Sequence, residues 1–271
     1  MMMAPRTLVQ QKRLSEFAVS ESVDVHCHCL PGMDDGPATV TAAIALCRAL
    51  VADGITTVFA TPHQLGRYDG VNAAGRIREA VASFSVTLLE HGVPLTVLAG
   101  ADVRLDERLV CLIGSGQVLT LGDSHRYVLL ELPHEVYVNP LRMLIELKDL
   151  GIRAILTHPE RHFHVQREAS CVLPWLEQGA VLQLTAGSLA GDFGLPAQKT
   201  AWDLLKAGWA ALVATDAHNV DLRPPRMSAA IAAITSRMGP DLARQVCGDN
   251  PLRVLQGRDV LAPIDALISA R

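Results

Sequence analysis

The chain has 271 residues, of which 49% are apolar and 19% charged, and its formal net charge is −4. These values indicate a globular protein with a large core, and a barrel of this length is commonly a single domain. The scattered Lys and Arg residues form no basic stripe, so nucleic-acid binding has no support, and no apolar run is long enough to cross a bilayer.

Residues 1–21 precede the first apolar run and lack the continuous apolar block and small-residue cleavage site of a secretory signal. We therefore interpret residues 1–21 as an N-terminal extension and predict that residues 22–271 form one domain. The six cysteines lie without the paired spacing of a zinc ribbon or a disulfide framework. This spacing favours a reduced, cytoplasmic protein.

Seven short β-rich runs occur along the chain, with helix-like segments between them. In chain order the runs are SVDVHCH, TTVFAT, LTVLAGAD, YVLLEL, RAILT, AVLQLTA and AALVATD. Helical periodicity is found, among other places, over residues 39–52, 73–91, 141–150 and 198–207, and several helical segments end in glycine, as is typical of a C-terminal cap. Because the runs are nearly continuous in apolar residues, they predict a parallel sheet covered by helices, either doubly wound or closed into a barrel.

A His, Asp or Glu ends or follows six of the seven predicted strands, and only AVLQLTAGS lacks one. These residues are His26 and His28, His63, Asp102, Glu131, His158, and Asp216 with His218. In a βα barrel the C-terminal ends of all strands open onto one mouth, so we expect these side chains to converge. Imidazole and carboxylate groups are ligands that divalent first-row metals accept, and His26 and His28 point the same way because they lie two apart on a strand.

Each motif also has a purely structural interpretation when it is taken alone. An isolated His-x-His is weak evidence, and both Asp34-Asp35-Gly36-Pro37 and Asp216-Ala217-His218 are consistent with simple turns. The joint placement at six of seven strand ends nevertheless favours a metal site. In this hypothesis Asp102 and Glu131 bridge neighbouring ions, which lie roughly 3.5–4 Å apart in two-metal hydrolytic sites.

At these motifs the chain resembles the PHP-domain (polymerase and histidinol phosphatase) metallophosphoesterases. It is most similar to the bacterial metal-dependent protein-tyrosine phosphatases of capsule and exopolysaccharide synthesis. The matching motifs, which lie between Val23 and the Asn250-Pro251 pair, are D-V-H-C-H-C-L-P-G-M-D-D-G-P, A-T-P-H-Q-L-G-R-Y, L-L-E-L-P, T-H-P-E-R, A-G-S-L-A-G-D-F-G, T-D-A-H-N and R-P-P. The resemblance implies a distorted (β/α)7 barrel of the PHP type, TIM-barrel-like, with a trinuclear metal centre at its mouth.

The resemblance also implies a ligand set and a substrate. The first ion would be held by His26, His28, Asp102 and Asp216, the second by Asp102, Glu131 and His158, and the third by Asp35, His63 and His218. The ions would be manganese, with iron, zinc or magnesium as alternatives. The substrate would be a phosphotyrosyl protein, such as the tail of a bacterial tyrosine kinase.

Two arginines are predicted to neutralise the charge of the substrate phosphate. Arg161 follows the His158 ligand and Arg223 lies in L-R-P-P, and a guanidinium fork matches phosphate geometry. The structural alternative for both arginines is a surface salt bridge.

The sequence departs from the family pattern at Asp102, where Glu is usual, at Gln64, where a second His is usual, and at His162, where an aromatic residue is usual. We expect the shorter carboxylate to alter metal spacing or occupancy, and the changes near the mouth to alter substrate choice. Alternative functions are a small-molecule phosphatase such as histidinol-phosphate phosphatase, a metal-dependent nuclease or amidohydrolase, and a catalytically silent barrel. No predicted strand ends in the Lys that an amidohydrolase usually requires.

Overall fold

The computed structural model describes residues 22–133 and 136–262, and the predicted N-terminal extension, residues 1–21, lies outside them. The strands of the described residues are β1 (Val23–Cys27), β2 (Thr57–Ala60), β3 (His63–Gln64), β4 (Thr96–Ala99), β5 (Asp102–Arg104), β6 (Tyr127–Glu131), β7 (Arg153–Thr157), β8 (Val181–Thr185) and β9 (Ala210–Ala214).

The α-helices of the described residues lie between and after these strands. They are α1 (Val40–Ala52), α2 (Ala74–Glu90), α3 (Leu109–Gly114), α4 (Leu141–Asp149), α5 (Phe163–Arg167), α6 (Leu173–Glu177), α7 (Ala186–Ala190), α8 (Gly194–Lys206), α9 (Met227–Met238), α10 (Pro240–Arg244) and α11 (Asn250–Leu255). Short 3₁₀ turns cover Gly66–Tyr68, Leu121–Asp123, Pro159–Arg161 and Ala169–Val172.

The predicted parallel α/β fold is confirmed. The strands form a three-stranded sheet of order β1-β2-β4 and a six-stranded sheet of order β3-β5-β6-β7-β8-β9, in which every pairing is parallel. The predicted strands TTVFAT and LTVLAGAD are observed as β2 and β4, and each is followed, after a short interruption, by a further strand, β3 or β5. Pro62 lies in the first interruption and has no N–H to donate. Its carbonyl still accepts the Asp102 N–H (3.3 Å), so the neighbouring segments stay side by side.

The first strand also contacts the segment that follows the last strand. The Asp216 N–H donates to the His26 carbonyl (2.8 Å) and the His28 N–H donates to the Ala217 carbonyl (2.9 Å). Cys27 and Ala217 form an isolated parallel bridge at the same place. These contacts bring the histidines of β1 beside residues that are remote in the sequence.

One face of β6, β7 and β8 changes from apolar to polar toward the C-terminal strand ends. Leu129, Ile155 and Val181 are buried in one apolar cluster on this face, and β7 pairs Ile155 with Val181. Two residues further along each strand, the same face carries Glu131, Thr157 and Gln183, because side chains alternate with a period of two. The opposite faces of these strands pack in the larger apolar cluster, together with residues of the flanking helices.

The four helices predicted from periodicity are observed as α1, α2, α4 and α8. Thr39 caps α1, since its side chain accepts the Ala42 N–H (3.2 Å). Helix α8 begins at Gly194, earlier than predicted, because a first turn tolerates the Gly and Pro residues that interrupt the periodic pattern. No helix among the described residues is both long enough and apolar enough to span a bilayer.

Candidate metal centre

His26 and His28 place two imidazole nitrogens close together at the end of β1. Their Nε2 atoms are 3.1 Å apart. The Nδ1 atom of His26 lies 2.8 Å from Gln183 Oε1, and Nδ1 of His28 lies 2.6 Å from Asp34 Oδ2. Because an oxygen acceptor opposite Nδ1 requires a proton there, each Nε2 is left with its lone pair facing the other ring.

Burial sets the protonation state of both rings. It lowers the pKa of His26 to about 4 and that of His28 to about 3. Both imidazoles are therefore neutral near pH 7, which is the form that binds a metal ion.

Asp102 lies among three of the predicted histidine ligands. Its Oδ2 atom is 3.6 Å from His26 Nε2, 3.4 Å from His63 Nδ1 and 4.0 Å from His158 Nε2. Its Oδ1 atom accepts a hydrogen bond from Thr157 Oγ1 (3.3 Å), whereas Oδ2 is buried and has no hydrogen-bond partner among the described residues. Burial, together with the charges of Glu131 and Asp216, raises the pKa of Asp102 well above its usual range. A buried carboxylate oxygen without a partner, surrounded by imidazole nitrogens, fits a bound cation.

All nine predicted metal ligands lie in one cluster of overlapping contacts, which includes Asp102. They include three overlapping groups, and within each group the ligand atoms lie within 4.8 Å of one another. The first group is His28, Asp35, His63 and His218; the second is His26, His28 and Asp102; the third is His63, Asp102 and Glu131. Glu131 Oε1 is 4.0 Å from His158 Nε2, and Asp216 Oδ1 is 3.4 Å from His26 Nε2. The nitrogen and oxygen donors contain no thiolate and suit divalent first-row metals or magnesium. The groups differ in detail from those that the resemblance implies, because His28 also lies with the Asp35 group.

Two of the predicted ligands have unfavourable backbone conformations. His158 follows β7 with a φ of 37° and Asp216 follows β9 with a φ of 51°. This left-handed region is sparsely populated by residues other than glycine, and such strain persists where the surrounding structure requires it. Here it turns both side chains toward the cluster at the strand ends.

Arg161 and Arg223 converge on the other oxygen of Asp216. Their Nη2 atoms lie 2.7 Å and 2.6 Å from Asp216 Oδ2. The ring of Phe193 faces both guanidinium groups, with its centroid 4.6 Å from Arg161 Cζ and 5.9 Å from Arg223 Cζ. Burial tends to raise the pKa of Asp216, but the charges of the Arg161 and Arg223 guanidinium groups outweigh burial and hold it well below its usual range. Both arginines thus contact a buried carboxylate, and Arg223 Nη1 also lies 3.8 Å from Oδ2 of the exposed Asp35.

The structure adds residues that the sequence did not identify. Gln183 and Asp34 hold the two histidines of β1, and Phe193 contacts both arginines. The sequence feature that could have indicated Gln183 is its position as the single amide in the apolar run AVLQLTA, the one predicted strand without a terminal His or acidic residue. Asp34 could not be identified because the Asp34-Asp35 pair is equally typical of a turn.

The expectation that Gln64 lies near the mouth and alters substrate choice is wrong in its placement. Gln64 is buried, and its amide donates to the carbonyls of Asn72 (2.8 Å) and Gln117 (3.2 Å). Its Oε1 atom accepts the Leu119 N–H (2.9 Å). Because alternation along β3 turns it away from His63, Gln64 holds surrounding loops together and does not contact the cluster.

The chain is similar to known proteins over most of its length. Residues 22–256 match the family model described as capsular polysaccharide synthesis, CpsB/CapC. The tyrosine-protein phosphatase YwqE of Bacillus subtilis (strain 168) is 35% identical over 224 residues, which are 81% of this chain and 86% of that protein. The putative tyrosine-protein phosphatase CapC of Staphylococcus aureus is 30% identical over 204 residues, 74% of this chain and 79% of that protein.

A solved structure is similar over nearly the whole chain. It comes from the crystal structures of YwqE from Bacillus subtilis and CpsB from Streptococcus pneumoniae, which are described as metal-dependent tyrosine phosphatases. The TM-score is 0.83 at 31% identity, and the match covers 89% of this chain and 99% of the other. With the match to the family model, these relatives show that the chain belongs to the CpsB/CapC family of capsular polysaccharide synthesis.

Proposed function

We propose that this chain is a metal-dependent tyrosine phosphatase that hydrolyses phosphotyrosine on proteins of capsule or exopolysaccharide regulation. The observation that carries the proposal is the convergence of the nine predicted nitrogen and oxygen ligands in one cluster, with two arginines on Asp216 at its edge. The names of the relatives YwqE, CapC and CpsB support the same activity. The substrate would be a phosphotyrosyl protein in the cytoplasm, such as the tail of a bacterial tyrosine kinase.

We assign the metal ligands as the nine residues of the cluster, namely His26, His28, Asp35, His63, Asp102, Glu131, His158, Asp216 and His218. Manganese is our proposed metal, and the nitrogen and oxygen donors also suit iron, zinc or magnesium. When bound, such ions supply Lewis acidity toward the phosphoryl oxygens and lower the pKa of water toward ~7.

The residues of the chain have separate tasks in this proposal. Gln183 and Asp34 orient the two imidazoles of β1 through their Nδ1 atoms, which fixes the tautomer that binds metal. Arg161 and Arg223 bind the phosphate oxygens and neutralise their charge, because both guanidinium groups already point at one acidic oxygen, that of Asp216. The N–H groups of Arg161 and Arg223 that do not bind Asp216 would donate hydrogen bonds to the oxygens of the substrate phosphate.

We also propose that the two sheets close into a distorted (β/α)7 barrel. Strand β3 continues in the direction of β2, and β5 continues in the direction of β4. When each of these pairs is counted as one strand, the nine strands of the described residues become the predicted seven. The bridge between Cys27 and Ala217 supports contact between the first and last of them. The single-domain organisation of residues 22–271 stays a prediction.

Chelation tests the metal requirement. We expect a chelator to abolish hydrolysis of an aryl phosphate and added Mn²⁺ to restore it. His26→Ala should lose bound metal and nearly all turnover while keeping its circular dichroism spectrum. His91→Ala is the matched control, because His91 is exposed beyond the end of α2. Activity that is indifferent to the chelator would refute the proposal.

Two further measurements separate the alternatives. A higher kcat/KM for histidinol phosphate than for a phosphotyrosyl peptide would favour the small-molecule phosphatase. Metal stoichiometry near zero after incubation with Mn²⁺, without activity on either substrate, would favour a catalytically silent barrel.

A further inference from the structure

A cavity of about 240 Å³ opens beside the candidate metal centre. Its lining includes His63 and Glu131, which belong to the ligand cluster, and Arg67, Tyr68 and Arg104, which do not. We propose that this cavity is the leaving-group subsite: it takes the tyrosyl ring of the substrate, and Arg67 at its edge binds a carboxylate on a residue next to the phosphotyrosine. The inference rests on the proposed phosphatase function and adds a preference for acidic phosphotyrosyl segments.

The side chains of the cavity suit an aromatic ring. Tyr68 is stacked on His63, with ring centroids 5.7 Å apart and an interplanar angle of 19°. A substrate ring esterified to a phosphate at the metal centre would enter beside His63, where the Tyr68 ring offers it an aromatic surface. Recognition by stacking needs no polar group on the substrate ring, which suits a phenolic leaving group.

Arg104 forms a fixed wall of the same cavity. Its Nη1 atom lies 3.2 Å from Glu131 Oε2, which anchors the charged end. Its aliphatic part packs on Gly66, where an added Cβ atom would lie 3.1 Å from Arg104 Cγ. An arginine held at both places presents its apolar stem to the cavity.

The backbone that carries Tyr68 is strained. Leu65 has a φ of 65° and a ψ of −168°, a conformation that is essentially confined to glycine. It directly precedes the 3₁₀ turn Gly66–Tyr68, and its side chain is buried. Strain of this kind concentrates at ligand-binding sites, and here it sets the turn that lines the cavity. Leu65 and this turn form the L-G-R-Y part of the motif A-T-P-H-Q-L-G-R-Y, in which His63 is the predicted metal ligand.

The charge of Arg67 is available to a ligand. Arg67 is exposed, and its guanidinium lies over the Tyr68 ring, 5.0 Å from the centroid. The nearby carboxylates are engaged elsewhere: Asp69 binds Arg108 (2.8 Å) and Glu131 binds Arg104 (3.2 Å). Within residues 22–133 and 136–262, no carboxylate forms an ion pair with Arg67. A carboxylate close to a phosphotyrosine in the cavity would therefore meet an unpaired cation.

A pair of phosphotyrosyl peptides tests the subsite on the Mn²⁺-loaded enzyme. One peptide has glutamates beside the phosphotyrosine, and the other has glutamines in their place. We expect the wild type to prefer the acidic peptide about threefold in kcat/KM and Arg67→Ala to lose this preference, since an exposed ion pair contributes little more. Arg48→Ala, an exposed arginine on α1, is the control that should keep the preference.

A second variant tests the ring. Tyr68→Ala should lower kcat/KM for both peptides about fivefold to tenfold, mainly through KM, because an aromatic contact is lost. Tyr68→Phe should restore the wild-type value, and inhibition by inorganic phosphate should be unchanged in both variants, because the phosphate site is intact. Urea midpoints check that each variant is folded.

The outcomes separate the inference from the proposed function. If the wild type hydrolyses the peptides but Arg67→Ala keeps the acidic preference, or folded Tyr68→Ala keeps its KM, the leaving-group subsite is wrong and the phosphatase function stands. If the Mn²⁺-loaded wild type hydrolyses neither peptide, the phosphatase function itself is wrong.

Discussion

Asp216 is the residue at which the metal cluster and the arginine pair meet. Its Oδ1 atom faces His26 Nε2 and His28 Nε2 at 3.4 and 3.5 Å, while its Oδ2 atom accepts from both arginines. One carboxylate therefore contacts both the proposed metal ligands and the proposed phosphate-binding arginines, so metal binding at Asp216 should affect where the two arginines lie. The two oxygens of Asp216 have different tasks, so the arginine side can be altered separately.

A substitution of Phe193 can test the role of the two arginines without removing a predicted metal ligand. We expect Phe193→Leu to raise the inhibition constant of inorganic phosphate and the KM about threefold to tenfold, because each guanidinium loses a cation–π contact. Bound metal and kcat should change little, since Phe193 belongs to none of the ligand groups among the described residues. Phe193→Tyr keeps the ring and should behave as wild type. A loss of metal in Phe193→Leu would instead show a general disturbance of the site.

In the proposed metal site, we expect metal retention to depend most on Asp102. Asp102→Asn removes the charge of the oxygen that lies among three imidazoles, and we expect a loss of metal affinity of at least ~100-fold, the upper range for residues that only support ligands. Elemental analysis after dialysis measures it. Asp102→Glu has the residue usual in the family and should keep metal, so equal loss in both variants would argue against a ligand role.

At the scale of elements, the contact between β1 and the segment after β9 depends on a buried carboxylate. Asp24 Oδ1 accepts the Thr215 N–H (3.0 Å), and Oδ2 accepts the Thr215 hydroxyl. Burial raises the pKa of Asp24 to about 7. Asp24→Ala removes the acceptor of the Thr215 N–H and one partner of the Thr215 hydroxyl, and it should lower the free energy of unfolding by ~1–3 kcal/mol in urea titrations. Asp24→Asn keeps an acceptor and should lose less; an unchanged midpoint in Asp24→Ala would contradict this role.

The same elements show what the sequence could predict. The apolar runs that end in a His or an acidic residue predicted the parallel sheets and the convergence of these polar side chains at the strand ends. Both features follow from local alternation and from parallel topology. The splitting of two runs, and the contacts that Gln183 and Asp34 make across the fold, depend on which segments become neighbours. Gln183 lies 157 positions from its partner His26, and no local pattern encodes such a pairing.

At the scale of the whole molecule, the candidate ligands lie on segments that extend from His26 to His218 and meet only in the folded chain. The ligands come from β1 and the loop after it, from β3, β5 and β6, and from the residues that follow β7 and β9, so the unfolded chain has no comparable site. An ion that binds only the folded state stabilises it by about 2.7 kcal/mol at a hundred times its dissociation constant.

We therefore expect saturating Mn²⁺ to raise the thermal midpoint of the chelator-treated protein by about 5–10 °C, since each kcal/mol corresponds to about 2–4 °C in a protein of this size. Differential scanning fluorimetry at several Mn²⁺ concentrations would show a midpoint that rises with the logarithm of concentration. His26→Ala, which lacks a ligand at the centre of the cluster, should shift much less, whereas His91→Ala should follow the wild type. Equal shifts in wild type and His26→Ala would place the stabilising ion elsewhere on the molecule.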